Sequence, residues 1–262
     1  MIHRRHSLCA IALLGWAMLA GLPATAQGDA PVIAAAADLQ FAITEIAESF
    51  KAETGHEVRI TTGSTGNAAR QIREGAPFQM FLAADEQFIF DLARDGLTRD
   101  EGTLYAIGRI VMVVPKGSAL KADGSLASLK AALEAGQITK FAIANPEHAP
   151  YGTRAMEALQ REGLWDALQP HIVLGENVSQ TAQFVLSGNA TAGIIALSLA
   201  KAPNIVAQGE FGLIPDEWHE PLRQRMVLLK NAGPVAEAFY AYMTQPAARA
   251  VMERYGFVLP EE

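Results

Sequence analysis

The sequence predicts an α/β fold of mainly parallel sheets flanked by helices, and three observations carry the prediction. Apolar stretches of strand length recur along the chain, as at Val32 to Ala36 and at residues 80–84 and 192–197. Several run into a small or polar residue and then a segment whose apolar residues repeat at helical spacing. Glycines such as Gly55, Gly75 and Gly96 stand just past these segments, where a helix ends. Repeated strand, loop and helix units pack as parallel sheets with helices on both faces. With 262 residues, half of them apolar, the chain has material for one large domain or two modest ones.

The first strand, over 32–36, leads to Asp38 and a helix carrying Leu39, Ala42, Ile43, Ile46 and Phe50. A second strand holds Val58, Ile60 and Thr62 and meets Gly63-Ser64-Thr65-Gly66-Asn67, which opens a short helix over 68–74. The third strand, over 80–84, ends at Asp85, and the helix after it carries Phe88, Leu92 and Ala93. Residues 104–115 include the β-branched run Ile110-Val111-Met112-Val113-Val114 and read as one long central strand able to pass between domains. A new series follows, with a helix over 126–133, a strand over 141–144 and a helix opened by Tyr151-Gly152. A strand over 171–174 then leads through Gly175-Glu176-Asn177-Val178 to a helix that starts at Ser179, and a strand spans 192–197. Residues 203–223, with Pro203, Pro215 and Pro221, read as loop; a strand over 226–229 and helices over 234–243 and 247–255 complete the chain.

Residues 1–26 have a different character. Arg4 and Arg5 precede an apolar run from Leu8 to Ala20, and Ala24-Thr25-Ala26 has the small residues of a cleavage site, which predicts a secretory signal peptide removed after Ala26. The run is short for a bilayer span of about 20 residues. The arginine pair matches twin-arginine export only in part, so general secretion is expected. Cys9, the sole cysteine, lies in the leader, and the mature chain is expected to hold no disulfide. Loss of Arg4 and Arg5 shifts the formal net charge from −7 to −9, which argues against nucleic acid or an anionic membrane surface as partner.

Four places share one pattern, a strand running into a small or polar residue at a helix start: Ala37-Asp38, Ser64-Thr65, Tyr151-Gly152 and Asn177-Val178-Ser179. The first turn of a helix leaves N–H groups without intrahelical acceptors, and the helix dipole adds positive potential there. Ligands of doubly wound sheets sit at the carboxyl ends of the strands. Helix starts converging on one cleft form a neutral, donor-rich pocket for an oxyanion. Other chemistry is poorly represented. His56, His148, His171 and His219 lack metal-ligand spacing, and His148 is expected to structure its loop. No nucleophile elbow or phosphate loop ending in Gly-Lys-Ser occurs. Arg70 and Arg154 lie on helices just beyond proposed loops, where either could approach the cleft rim; as exposed helix arginines are usually solvated, they are not counted as ligands.

Taken together, Ala34-Ala35-Ala36-Ala37-Asp38-Leu39, Gly63-Ser64-Thr65-Gly66, Gln71-Ile72, Gly75-Ala76-Pro77-Phe78 and Phe81-Leu82-Ala83-Ala84-Asp85 form an ordered set. It continues through Asn145-Pro146-Glu147-His148-Ala149-Pro150-Tyr151-Gly152, Gly175-Glu176-Asn177-Val178, Phe239-Tyr240 and Arg254-Tyr255-Gly256-Phe257. In this set the chain resembles the periplasmic molybdate-binding proteins of ABC importers, over essentially the whole mature length.

The resemblance implies a two-lobe periplasmic binding protein of type II, with residues 27–112 plus 222–262 as one lobe and 113–221 as the other. It implies a molybdate or tungstate ligand, no cofactor and no catalysis, and delivery to the membrane permease of an ABC transporter by a periplasmic monomer that does not itself enter the membrane. Carried over by position, the ligand-binding residues are Ala37, Asp38, Ser64, Tyr151 and Val178. Backbone N–H groups would serve at Ala37, Ser64, Tyr151 and Val178, with the Ser64 hydroxyl as a further donor; none ligates the metal atom.

Two positions depart from the family. Asp38 stands where many relatives have Ser or Asn, and Ala196 stands where some have a tyrosine that reaches the anion. Asp38 has two readings: its carboxylate caps its own helix and only its N–H faces the ligand, or it acts in the pocket as an acceptor and selects a protonated oxyanion such as phosphate, or a small organic anion. An enzyme on the same fold, a small lyase or deaminase with Asp38 or Glu176 as base, is the rival from another class; no paired acid and base at recognisable spacing supports it.

Overall fold

The computed structural model describes residues 30–260; the leader over 1–26 and Cys9 lie outside the described residues. Two five-stranded sheets form two lobes. The first lobe holds β1 (Val32–Ala36), α1 (Gln40–Thr54), β2 (Arg59–Gly63), α2 (Thr65–Arg73), β3 (Phe78–Ala83), α3 (Glu86–Arg94) and β4 (Thr103–Gly108). The second holds β5 (Ile110–Pro115), α4 (Ala127–Glu134), β6 (Phe141–Ala144), α5 (Pro150–Arg161), α6 (Trp165–Leu168), β7 (Ile172–Gly175), α7 (Val178–Leu186), β8 (Ala192–Ala196), α8 (Leu197–Ala200), α9 (Pro203–Val206) and β9 (Gly209–Leu213). The chain then returns to the first sheet as β10 (Leu222–Leu228), followed by α10 (Pro234–Tyr242) and α11 (Pro246–Arg254).

Strand order is β2-β1-β3-β10-β4 in the first sheet and β7-β6-β8-β5-β9 in the second. β1 pairs in parallel with β2 and β3, and β6 with β7 and β8. The strands that follow a change of lobe, β5 and β10, run antiparallel to their neighbours. In each sheet four strands therefore run one way, and a single reversed strand lies next to the edge.

Strand alternation distributes the first lobe's core. Ile33, Ala35, Met80 and Leu82 face α1, α10 and α11, where Phe50 meets Phe239 and Tyr242 edge-on at centroid distances of 5.2 and 5.4 Å. Ala34, Phe81 and Ala83 face α2 and α3 through Ala69, Ile72, Ile89 and Leu92. α1 ends at Gly55, whose φ of 72° lets its N–H reach the Lys51 carbonyl at 2.9 Å. Ala36, Ala37 and Ala84, at the strand ends of the first lobe, belong to the apolar cluster of the second.

Three expectations need correction. Residues 104–115 are two strands, not one: β4 pairs with β10 in the first sheet and β5 with β8 and β9 in the second. The first crossing thus lies at Arg109, ahead of the division expected after residue 112, and the second spans residues 214–221. Gly108, the last residue of β4, makes room for Tyr151, because a Cβ there would stand 2.3 Å from its hydroxyl. Residues 203–223 are not all loop, since they hold α9 and the edge strand β9. Gly212 in β9 serves close packing: a Cβ there would lie 2.5 Å from the Ala122 carbonyl oxygen.

Candidate functional site: a buried cleft between the lobes

Four parallel strands point their carboxyl ends at one place, two from each sheet. β1 runs through a 3-10 turn over residues 37–39 into α1; β2 runs through Ser64 into α2; β6 leads by a short loop to α5; and β7 leads through Asn177 to α7. The cavity between them is small, about 10 Å³. Ala37, Asp38, Ser64, Tyr151 and Val178 all line it, so the structure brings together the five positions singled out in the sequence. The remaining wall is Ala36, Gly63, Thr65, Ala84, Ala149, Pro150 and Asn177, and it contains no Lys, Arg or His.

The helix starts explain what the wall offers. Pro150 begins α5 without an N–H, which makes Tyr151 its first donor. The Asn177 side chain caps α7 by accepting from the N–H groups of Ser179 and Gln180, both at 3.0 Å, and leaves the N–H of Val178, the first residue of the helix, for another partner. Thr65 accepts from the Ala84 N–H at 3.1 Å, which ties β3 to the start of α2. Such donors suit an anion, since they supply positive potential without a counter-ion.

Asp38 is the only ionisable acid of the wall and is 1 % exposed. Its Oδ2 accepts from the Tyr151 hydroxyl at 2.9 Å and from Gln224 Nε2 at 2.6 Å; Gln224 Oε1 accepts from the Tyr105 hydroxyl at 2.7 Å. The Asp38 carbonyl accepts from Ser198 Oγ at 2.8 Å. Oδ1 is buried with no partner. The carboxylate is thus held chiefly by side chains from β10 and α5, beyond the N–H groups at the start of its own helix, and is more than the helix cap of the first reading. Burial pushes its carboxyl up to about 6, against the pull of the Gln224 and Tyr151 donors and of the nearby N–H groups of Asp38 and Leu39. Burial, with the adjacent Asp38 charge, holds the Tyr105 and Tyr151 hydroxyls well above the usual tyrosine range.

The lobes meet around this cavity. The Gly66 N–H donates to the His148 carbonyl at 2.8 Å, and His148 Nδ1 lies 2.9 Å from Ser64 Oγ. Asn67 donates to Glu176, and Ser179 donates to Gln40. Arg154 on α5 pairs with Asp85, the N-cap of α3, at 3.0 Å. Arg154 is thus a strap between lobes and not the solvated residue expected, whereas Arg70 is exposed as anticipated. His148, expected only to structure its loop, also touches Ser64 from the opposite lobe.

Gln224, Tyr105 and Ser198 were not foreseen. Gln224 had a readable signal: in the alternating strand Leu222-Arg223-Gln224-Arg225-Met226 it occupies an inward position, a polar residue where the pattern calls for an apolar one. Ala196 is fully buried at the end of β8 and does not line the cavity. Among the described residues no group of three or more His, Cys, Asp or Glu side chains is arranged to hold a metal ion, and no helix is long and apolar enough to cross a membrane.

Known proteins share both sequence and architecture with this chain. The molybdate-binding protein ModA of Azotobacter vinelandii is 35 % identical over 252 residues, covering 93 % of this chain and 96 % of that protein. ModA of Escherichia coli is 33 % identical over 233 residues, covering 86 % and 87 %. The solved periplasmic molybdate-binding protein of A. vinelandii superposes with a TM-score of 0.80 at 30 % identity, over 88 % of this chain and all of that one. A family model described as bacterial extracellular solute-binding protein matches residues 31–258, and the chain belongs to that family.

Proposed function

We propose that this protein is a periplasmic receptor that captures molybdate or tungstate between its lobes and delivers the anion to the membrane permease of an ABC importer. The observation that carries the reading is the buried, cation-free cavity onto which three helix starts and the Ala37-Asp38 turn converge from both lobes. A tetrahedral oxyanion there receives N–H donors at Ala37, Ser64, Tyr151 and Val178 and the Ser64 hydroxyl. His148 Nδ1, when it carries the proton, donates to Ser64 Oγ and leaves the Ser64 O–H for the ligand. Because the donors come from two lobes, the ligand gains its full set only on closure, so it draws the protein from open to closed. The kinship with proteins named for molybdate supports the choice of anion. No catalytic step belongs to this reading: Glu176 is outside the cavity wall and accepts from Asn67. The receptor works as a monomer, needs no cofactor and reaches the membrane through the permease.

A second reading has one observation behind it. The unpartnered Asp38 Oδ1 offers an acceptor to an oxyanion that brings its own proton, such as phosphate. Thermal unfolding of residues 27–262 separates the two. A ligand present at 100 times its Kd adds about 2.7 kcal/mol to stability. Molybdate and tungstate should raise the midpoint by several degrees while sulfate and phosphate leave it in place. A rise with phosphate alone supports the second reading.

A further inference from the structure

Asp38 brings a carboxylate into a cavity suited to a dianion, and no cation lines that cavity to offset it. Its two oxygens are not equivalent. Every side-chain donor near the carboxylate is aimed at Oδ2: the single proton of the Tyr151 hydroxyl and the amide of Gln224, whose orientation is set by the Tyr105 hydroxyl at its other end. Oδ1 receives none, although it is buried and belongs to a residue of the cavity wall. A carboxylate oxygen without a donor, facing an acceptor-only ligand, is a repulsive arrangement. One proton on Oδ1 turns it into a donor and removes the charge.

Apart from the backbone N–H groups of Asp38 and Leu39, the groups around Asp38 offer no compensating charge. β4 contributes Tyr105 and α5 contributes Tyr151, both kept neutral; β10 contributes the neutral Gln224, and α8 contributes Ser198 on the Asp38 carbonyl. α2 contributes Ser64 and Thr65, with His148 behind Ser64, and α7 contributes Val178 and its cap Asn177. Farther out, Arg154 is paired with Asp85 and Glu157, and the His148 ring stands 3.7 Å from the Glu176 carboxylate.

Resting on the oxyanion-receptor reading above, we propose that Asp38 binds the ligand as a neutral carboxylic acid, with its proton on Oδ1 donated to a ligand oxygen, so that each dianion captured takes up one proton from solvent. Burial already pushes the carboxyl up to about 6, so it is ionised above neutral pH until a ligand arrives, and a dianion alongside pushes it higher. The proton comes from water or buffer, and no covalent bond changes in the ligand.

The test is calorimetric titration of residues 27–262 with sodium molybdate between pH 7 and pH 8.5, in two buffers of different ionisation enthalpy. About one proton should be taken up per anion at pH 8, and Kd should rise about tenfold per pH unit. Asp38→Asn keeps the shape and places an amide donor at the same point; its Kd should be flat with pH and its proton uptake zero. His148→Gln should keep the slope. Tight molybdate binding with a flat Kd and no uptake by the parent would overturn the proton proposal and leave the receptor reading intact. A slope that survives in Asp38→Asn, or vanishes in His148→Gln, also overturns it, because the titrating group is then another one. Absence of heat with both molybdate and tungstate defeats the receptor reading and the proposal together.

Discussion

Substitution of Gly66 by alanine tests whether ligand capture depends on closure of the two lobes. Gly66 lies in the first turn of α2 and touches the opposite lobe directly. A Cβ there would stand 2.8 Å from the His148 carbonyl oxygen and 2.9 Å from the His148 Cβ, so the lobes must part by about half an ångström for ordinary contact. Three contacts share the displacement: the Gly66 N–H on His148, the Ser64–His148 hydrogen bond, and Asn67 on Glu176. At about 1 kcal/mol each, their loss weakens binding by about 2–3 kcal/mol, or 30- to 150-fold in Kd. The open protein feels none of this. The position is helical with no positive φ, and alanine is favoured over glycine in a helix by about 1 kcal/mol. Calorimetric titration with molybdate, paired with thermal unfolding of the empty protein, should show weaker binding and an unchanged or raised midpoint. Parent-like affinity, or a midpoint lowered in the empty protein, would refute the reasoning.

Further outcomes follow from the same geometry. Asp38 has a carboxyl raised from 3.8 to about 6, so the folded state holds its proton more tightly than the unfolded chain, and stability falls as pH rises through that window. Above pH 6 the penalty is at most about 3 kcal/mol, and Asp38→Asn should recover part of it as a higher unfolding midpoint at pH 7.5 but not at pH 4. Gln224→Met leaves the Tyr105 hydroxyl and one Asp38 contact unpaired in a fully buried place, and chemical denaturation should show a loss of about 2–3 kcal/mol. Arg154→Ala removes the strap to Asp85 between lobes and should raise Kd about tenfold, with little change in the stability of the empty protein.

The βα units were legible because their signals are local. Val32 to Ala36 is apolar, small and of strand length, Leu39 to Phe50 repeats at helical spacing, and Gly55 stops the helix where the left-handed conformation is seen. The five expected wall positions share a cavity for the same reason, since each sits at the start of a helix or turn that follows a parallel strand. Long-range features were not legible. Nothing local at Gly108 tells that Tyr151 approaches it, or that the strands on either side of Arg109 pair in different sheets. The prolines of residues 203–223 read as loop, whereas β9 forms there through pairing with β5, distant in sequence. Asp38 looked like a cap because caps are local, whereas its partners Tyr151 and Gln224 lie 113 and 186 residues away. His148 was seen as a loop residue because only the closed cleft places it against Ser64.

Calorimetric titration of residues 27–262 with molybdate, tungstate, sulfate and phosphate at neutral pH bears most directly on the receptor assignment. One-to-one tight binding of molybdate and tungstate, with sulfate and phosphate silent, is the predicted result. Silence toward both metal oxyanions would contradict it, and the cleft would then belong to another ligand on the same fold.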